Sequence, residues 1–197
     1  MRQIIYKTES GYIVEQSLYH SIHHAQLILT RLEYQQWKSH LFSGNWWMLL
    51  SALLIPWIFW WLLVKKERLF EVLTYALFVV IFGGTLDTYG KTLGWWDYGT
   101  RLFFLNPGLI AGDWGLPPVV KSLAYQYFPD WPRFVAVQVI LGAVFSFVGK
   151  PILHALGIYL MYNWSYLESF LLYIPVALLT KLIVDLLKKH IPVERQD

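Results

Sequence analysis

Nineteen consecutive residues, Trp46 to Val64, carry no charge. At 1.5 Å of rise per residue a helix over them is about 28 Å long, the thickness of a bilayer's hydrocarbon core. Tryptophan pairs stand at both ends, Trp46-Trp47 and Trp60-Trp61, and indole rings favour the boundary between lipid and water. Pro56 lies inside the stretch, which a membrane helix tolerates because neighbouring groups satisfy the freed carbonyl. The composition agrees. Only 15% of the 197 residues are charged, against about 25% in soluble domains, too few to cover a water-facing surface.

The same reasoning along the chain predicts an all-α, polytopic transmembrane bundle of about five spans. Lys65, Lys66, Glu67 and Arg68 form a charged turn too short for anything but a helical hairpin. A second span is expected over about 70–87, entered at Glu71 and loosened near Gly83-Gly84. Glycines at 90, 94, 99, 108, 112 and 115, with Pro107, then break any long helix. The apolar run from Leu102 to Ala111 is too short to cross, so residues 102–116 are expected to be re-entrant, interfacial or joined to the next span. That span, about 117–128, opens on a proline, whose missing N–H costs nothing at a helix start. Further spans are expected over about 133–149 and 166–187, the last kinked at Pro175.

Before the first span, Gly11 to Ser43 is polar and helix-compatible. Leu18, Ile22, Ala25, Leu29 and Leu32 recur at alternating spacings of four and three, one apolar stripe on an amphipathic helix. The expected division is an N-terminal soluble or interfacial helix over 1–44 and a transmembrane domain over 45–190. The stripe suits a membrane surface, with self-association or a protein partner as the alternative. Met1 to Lys7 contains no apolar run, so no cleavable signal peptide is expected and the first span serves as its own insertion signal.

Positive charge sets the expected orientation. Lys65, Lys66, Arg68, Arg133, Lys181, Lys188, Lys189 and Arg195 fall on one side of a five-span arrangement, and Arg31, Lys38, Lys91, Arg101 and Lys150 on the other. The richer side is assigned to the cytoplasm, which puts the N-terminus out and the C-terminus in.

Several short runs carry a resemblance: His40-Leu41-Phe42, Trp46-Trp47, Pro56-Trp57, Leu86-Asp87 with Gly90, Leu93-Gly94-Trp95, Tyr125-Gln126-Tyr127-Phe128-Pro129, Gly149 with Pro151, and Leu156-Gly157-Ile158-Tyr159. In this order, over residues 37 to 185, the chain resembles a family of uncharacterised small multi-span membrane proteins of spore-forming Gram-positive bacteria. The resemblance implies a bacterial inner-membrane protein of about five spans and brings no activity, substrate or catalytic residue. Lys121 departs from the family's pattern, where an apolar residue is expected.

The charged residues that could carry chemistry group by side. Asp87, Asp97, Asp113 and Glu168 are expected near the outer interface together with Lys91, Arg101 and Lys150. Four carboxylates there could bind a hard cation or relay protons; the plainer reading is that interface charges end helices and pair with nearby bases. Phe82, Asp87 and Leu93-Gly94 lie 63 positions before Phe145, Lys150 and Leu156-Gly157. This echo suggests two units running in the same direction, with Asp87 and Lys150 as equivalent positions of opposite charge. Lys121 is the charge in mid-span, an anion site or counter-ion or a lysine that snorkels out of a short span, with Glu71 as the partner to test. Gly142 and Ser146 offer a small-residue contact face.

Much else is excluded. The chain has no cysteine, hence no disulfide, thiolate metal site or thiol nucleophile. His20 and His24 are one turn apart on the N-terminal helix, with His23 beside them; no acidic residue completes a zinc-protease pattern and no third ligand is evident, so no metal is expected. No cofactor motif is present, and a net charge of +3 does not point to nucleic acid. The partners expected are the lipid bilayer and a protein or second copy on the N-terminal stripe. The sequence alone therefore favours a structural or interaction protein of the bacterial cell membrane. A small transporter or channel, with Lys121, Gln126 and Gln138 as a polar path, or a membrane-embedded enzyme or cation-binding protein are the alternatives.

Overall fold

A computed structural model describes residues 2–106 and 108–190, and side chains at Gln16 and from residue 18 onward. Pro107 and Arg195, used above, lie outside these residues. The chain forms two compact units, one up to Ser39 and one from His40 on. The first is a single helix, α1 (Arg2–His40). Its stripe residues Leu18, Ile22, Leu29 and Leu32 are all exposed.

The second unit begins with α2 (Gly44–Leu63), started by the Ser43 hydroxyl, which accepts from the Trp46 amide at 3.3 Å. Three of its residues, Leu49, Pro56 and Trp60, are buried, while Leu54, Ile58, Phe59 and Leu62 are exposed. A single turn of 3-10 helix, Lys66–Arg68, reverses the chain into α3 (Leu69–Thr92). Gly83 and Gly84 do not loosen α3, which continues past Asp87 to Thr92. Next come a short strand, β1 (Trp96–Tyr98), a one-turn helix α4 (Ile110–Trp114) and α5 (Leu116–Tyr127). Asp130 caps α6 (Trp131–Val144), accepting from the Arg133 amide. A wide π turn over Phe145–Gly149 joins α6 to α7 (Lys150–Ala155). After β2 (Tyr159–Met161) the chain closes with α8 (Tyr166–His190). Among the described residues four helical stretches are long and apolar enough to cross a membrane: Gly44–Leu63, Lys66–Thr92, Trp131–Ala155 and Tyr166–His190.

The π turn has a local cause. Pro151 has no amide hydrogen to give to the turn before it, and the Lys150 amide bonds to the Phe145 carbonyl instead. One extra residue in a turn rotates everything after it by about 100° around the axis. Lys150 is the first residue to feel that rotation.

The two strands were not foreseen in an all-α chain. They pair antiparallel with Trp96 opposite Met161, Asp97 opposite Leu160 and Tyr98 opposite Tyr159. Leu160 is also the residue 63 positions after Asp97, so a twofold axis passes between them. The flanking bonds obey it. The Gly99 amide donates to Ile158 O and the Tyr162 amide to Trp95 O, each at 3.0 Å. The preceding helix ends match as well. Leu93, Gly94 and Trp95 donate to Tyr89, Lys91 and Gly90, and Leu156, Gly157 and Ile158 donate to Ile152, His154 and Leu153. Gly94 and Gly157 hold φ of 69° and 68°, the left-handed value such a helix stop requires. The faint echo in sequence is a pseudo-twofold repeat in structure. Under the same shift α2 and α3 fall on α4–α5 and α6–α7.

The core lies in three places. Leu49, Trp96, Leu102, Ile158 and Tyr159 fill the end near the strands. Tyr75, Tyr125, Phe134 and Ala177 fill the opposite end between α3, α5, α6 and α8. Trp60, Val64, Val72 and Val119 lock α2 to its neighbours. Three indole N–H groups of α2 tie it to its neighbours: Trp46 on Leu102 O, Trp57 on Trp114 O and Trp60 on Ser122 Oγ.

Candidate functional site

Asp87 is in the last third of α3, where its carboxylate would be isolated in an apolar bundle without donors. The chain supplies three. Trp96 Nε1 donates to Oδ1 at 2.8 Å, the Tyr98 hydroxyl donates to the same oxygen, and the Leu109 amide donates to Oδ2 at 2.9 Å. Strand periodicity explains the first two, since residues 96 and 98 share one face of β1. Burial first, then the Asp87 charge beside it, push the Tyr98 phenol well above its ordinary pKa, so it remains a donor. The loop can approach because residue 108 is glycine. A Cβ there would strike Asp87 Oδ2 and lie 3.0 Å from Asp113 Oδ2.

Asp113, from α4, brings a second carboxyl against Asp87. No backbone or side-chain donor reaches Asp113 among the described residues. Facing this pair, Lys150 enters from the start of α7. Its Nζ donates to Ser169 Oγ at 2.7 Å and lies 3.4 Å from the Tyr159 hydroxyl. It also stands 4.8, 5.2 and 5.5 Å from the ring centres of Tyr159, Trp96 and Tyr173, within cation–π range. Ser169 is held by Trp164 Nε1 at 2.8 Å and gives its own proton to Ser165 O. Lys121, 2% exposed, comes from α5 and donates to Tyr173 O at 3.3 Å.

These groups enclose one cavity of about 160 Å³, lined by Asp87, Asp113, Lys121 and Lys150, with Trp96, Tyr159, Trp164 and Tyr173 among its walls. Both halves of the repeat contribute, Asp87 from one and its equivalent Lys150 from the other. They do not touch as an ion pair; Lys150 is occupied by Ser169.

Two of the carboxylates grouped with these by sequence lie apart. Asp97 is on the opposite face of β1 from Trp96 and Tyr98, where it binds Arg101 at 2.7 Å and Lys91 at 3.7 Å. Ser165 caps the start of α8, its Oγ accepting from the Glu168 amide and donating to the Glu168 carboxylate at 2.7 Å. Glu71 does not meet Lys121. It binds Arg68 at 2.9 Å and Lys188 at 3.1 Å, with the Tyr125 hydroxyl at 2.7 Å. Trp164, Ser169 and Tyr173 were not singled out from sequence, because nothing but the α8 register brings them to Lys150. Trp96 and Tyr98 were within reach, since alternate residues beside a glycine turn signal a short strand.

The other end of the bundle is closed. Lys181 pairs with Asp185 at 3.1 Å and donates to Pro129 O at 2.9 Å. Tyr125 lies between Glu71 and Asp185 and stacks on Tyr75 with ring centres 4.6 Å apart. Gln126 ties α5 to the end of α2, accepting from the Lys65 amide and donating to Leu63 O. Gln138 is buried with neither amide atom paired. Gly142 packs against Phe170 and Tyr173. His20, His23 and His24 of α1 are exposed, and no group of three metal-ligating side chains occurs among the described residues.

Compared with models of protein families, with curated proteins and with solved structures, the chain matches none.

Proposed function

We propose that this chain is a multi-pass protein of a bacterial cell membrane that binds a small polar solute inside its helix bundle, as a carrier or receptor. The observation that carries the reading is the cavity holding two carboxyls and two lysines among apolar helices. Ionisable groups within a bundle are costly, and four around one space are more than packing requires. A role confined to interaction through α1 demands none of them. The exposed leucines and isoleucines of α2 favour lipid as the solvent, since a water-soluble surface of this size rarely carries so continuous an apolar face.

In this reading α4 and α5 together make a fifth crossing, broken at Gly115. The strand pair lies outside and the Lys65–Arg68 turn inside, following the excess of positive charge near that turn. The resemblance to membrane proteins of spore-forming bacteria supports the location. The network around Glu71, Tyr125 and Asp185 would then seal the inner end while the cavity occupies the outer half. An enzyme built on Lys150 and Ser169 is less well supported, because the serine proton is committed to a backbone carbonyl.

Thermal unfolding of the purified full-length chain in detergent, against a panel of small cationic, anionic, zwitterionic and neutral solutes, tests the reading. At least one class raises the melting temperature of the wild type, and Lys150→Met abolishes the rise. A wild type indifferent to the whole panel overturns it.

A further inference from the structure

The charges of the cavity differ in how far the protein has already satisfied them. Asp87 takes three donors. Lys150 has a serine, a phenol and three ring faces. Asp113 has the neighbouring Asp87 carboxyl and the Lys150 charge facing it, and Lys121 a single 3.3 Å bond to a carbonyl plus the Tyr173 ring at 4.9 Å. These two under-served groups are an acid and a base, and both line the same space. Resting on the solute-binding reading above, we infer that the cavity takes a small zwitterion of amino-acid size, its ammonium toward Asp113 and its carboxylate toward Lys121.

Three arguments fix the class. A simple cation would meet Lys121 and Lys150, and a simple anion would meet Asp87 and Asp113, so each is repelled by half of the lining. A neutral solute would offer Asp113 and Lys121 hydrogen bonds but no charge to match either. A guest with both charges completes both. Size sets the second limit: about 160 Å³ is comparable to cavities that hold a six-carbon ring. Placement is the third. Asp113 and Lys121 stand on either side of the helix break at Gly115, and both line the one space a guest would fill. The rings of Trp96, Trp164 and Tyr173 are left to face the guest's carbon skeleton.

The test is calorimetric titration of the full chain in detergent with three matched probes. 2-Aminobutyrate has both charges, propylamine lacks the carboxylate, and butyrate lacks the ammonium. Losing a charge-assisted bond in a desolvated site weakens affinity by about thirtyfold or more, so 2-aminobutyrate is expected to bind at least that much more tightly than either truncated probe. Lys121→Gln is expected to reduce binding of 2-aminobutyrate toward that of propylamine. If propylamine or butyrate binds as tightly as 2-aminobutyrate, the zwitterion assignment falls while the solute-binding reading stands. If none of the three binds but another solute stabilises the protein, the assignment also falls alone. If no solute of any class acts, both fall. The probe series on the wild type decides the matter even where a variant does not fold.

Discussion

Asp87 and Asp97 are ten residues apart and were equivalent members of one group until direction was taken into account. Asp87 is 7% exposed and holds three protein donors, whereas Asp97 has a side chain 36% exposed and reaches in to two largely buried bases, Arg101 and Lys91. An amide at position 87 would set an N–H₂ group against a ring of donors, and leaving a buried donor unpaired costs about 1–3 kcal/mol. Asp87→Asn is therefore expected to lower the melting temperature by about 5 °C or more, while Asp97→Asn, whose amide oxygen can still accept from Arg101, lowers it by less. Equal shifts in the two variants, read by unfolding in detergent, would mean that the donor ring does not hold Asp87 as described. The sequence marked these carboxylates by their placement beside apolar spans. It could not separate them, because the separation depends on which face of a three-residue strand each occupies.

At the scale of elements, the repeat concentrates its regularity in the turns. The helix–glycine–strand corners agree in every hydrogen bond named above, while the helices that lead into them share little sequence. Corners are constrained by backbone geometry, and a left-handed φ admits glycine almost alone. Apolar helices facing lipid can exchange one large side chain for another without loss. Hence the repeat was visible in sequence only as Leu-Gly and a phenylalanine. The same logic gives a prediction. Gly94→Ala and Gly157→Ala each force a Cβ into a left-handed conformation with nothing within 4 Å to clash, so each should cost about 1 kcal/mol from strain alone. Matched losses in melting temperature are expected, and a large difference between them would show that the two corners are not equivalent. Helix bounds were more legible than the joins. Charge-free runs located α2, α3, α6 and α8, but α7 continues past a proline because a π turn absorbs it.

For the whole molecule, the absence of cysteine makes accessibility simple to measure. Single cysteines at Tyr162, after β2, and at Glu67, between α2 and α3, are exposed and mark opposite ends of the bundle. An impermeant maleimide applied to intact cells is expected to label Tyr162→Cys, and to label Glu67→Cys only after the membrane is opened. The reverse pattern would invert the proposed orientation, and labelling of both in intact cells would remove the membrane altogether. The organisation around the strand pair carries one more consequence. Its two halves repeat each other in path, yet the positions that correspond across the axis, Asp87 and Lys150, have opposite sign. A frame with twofold character thereby encloses a space with a permanent head and tail, and a guest whose own ends differ can be seated in one direction only.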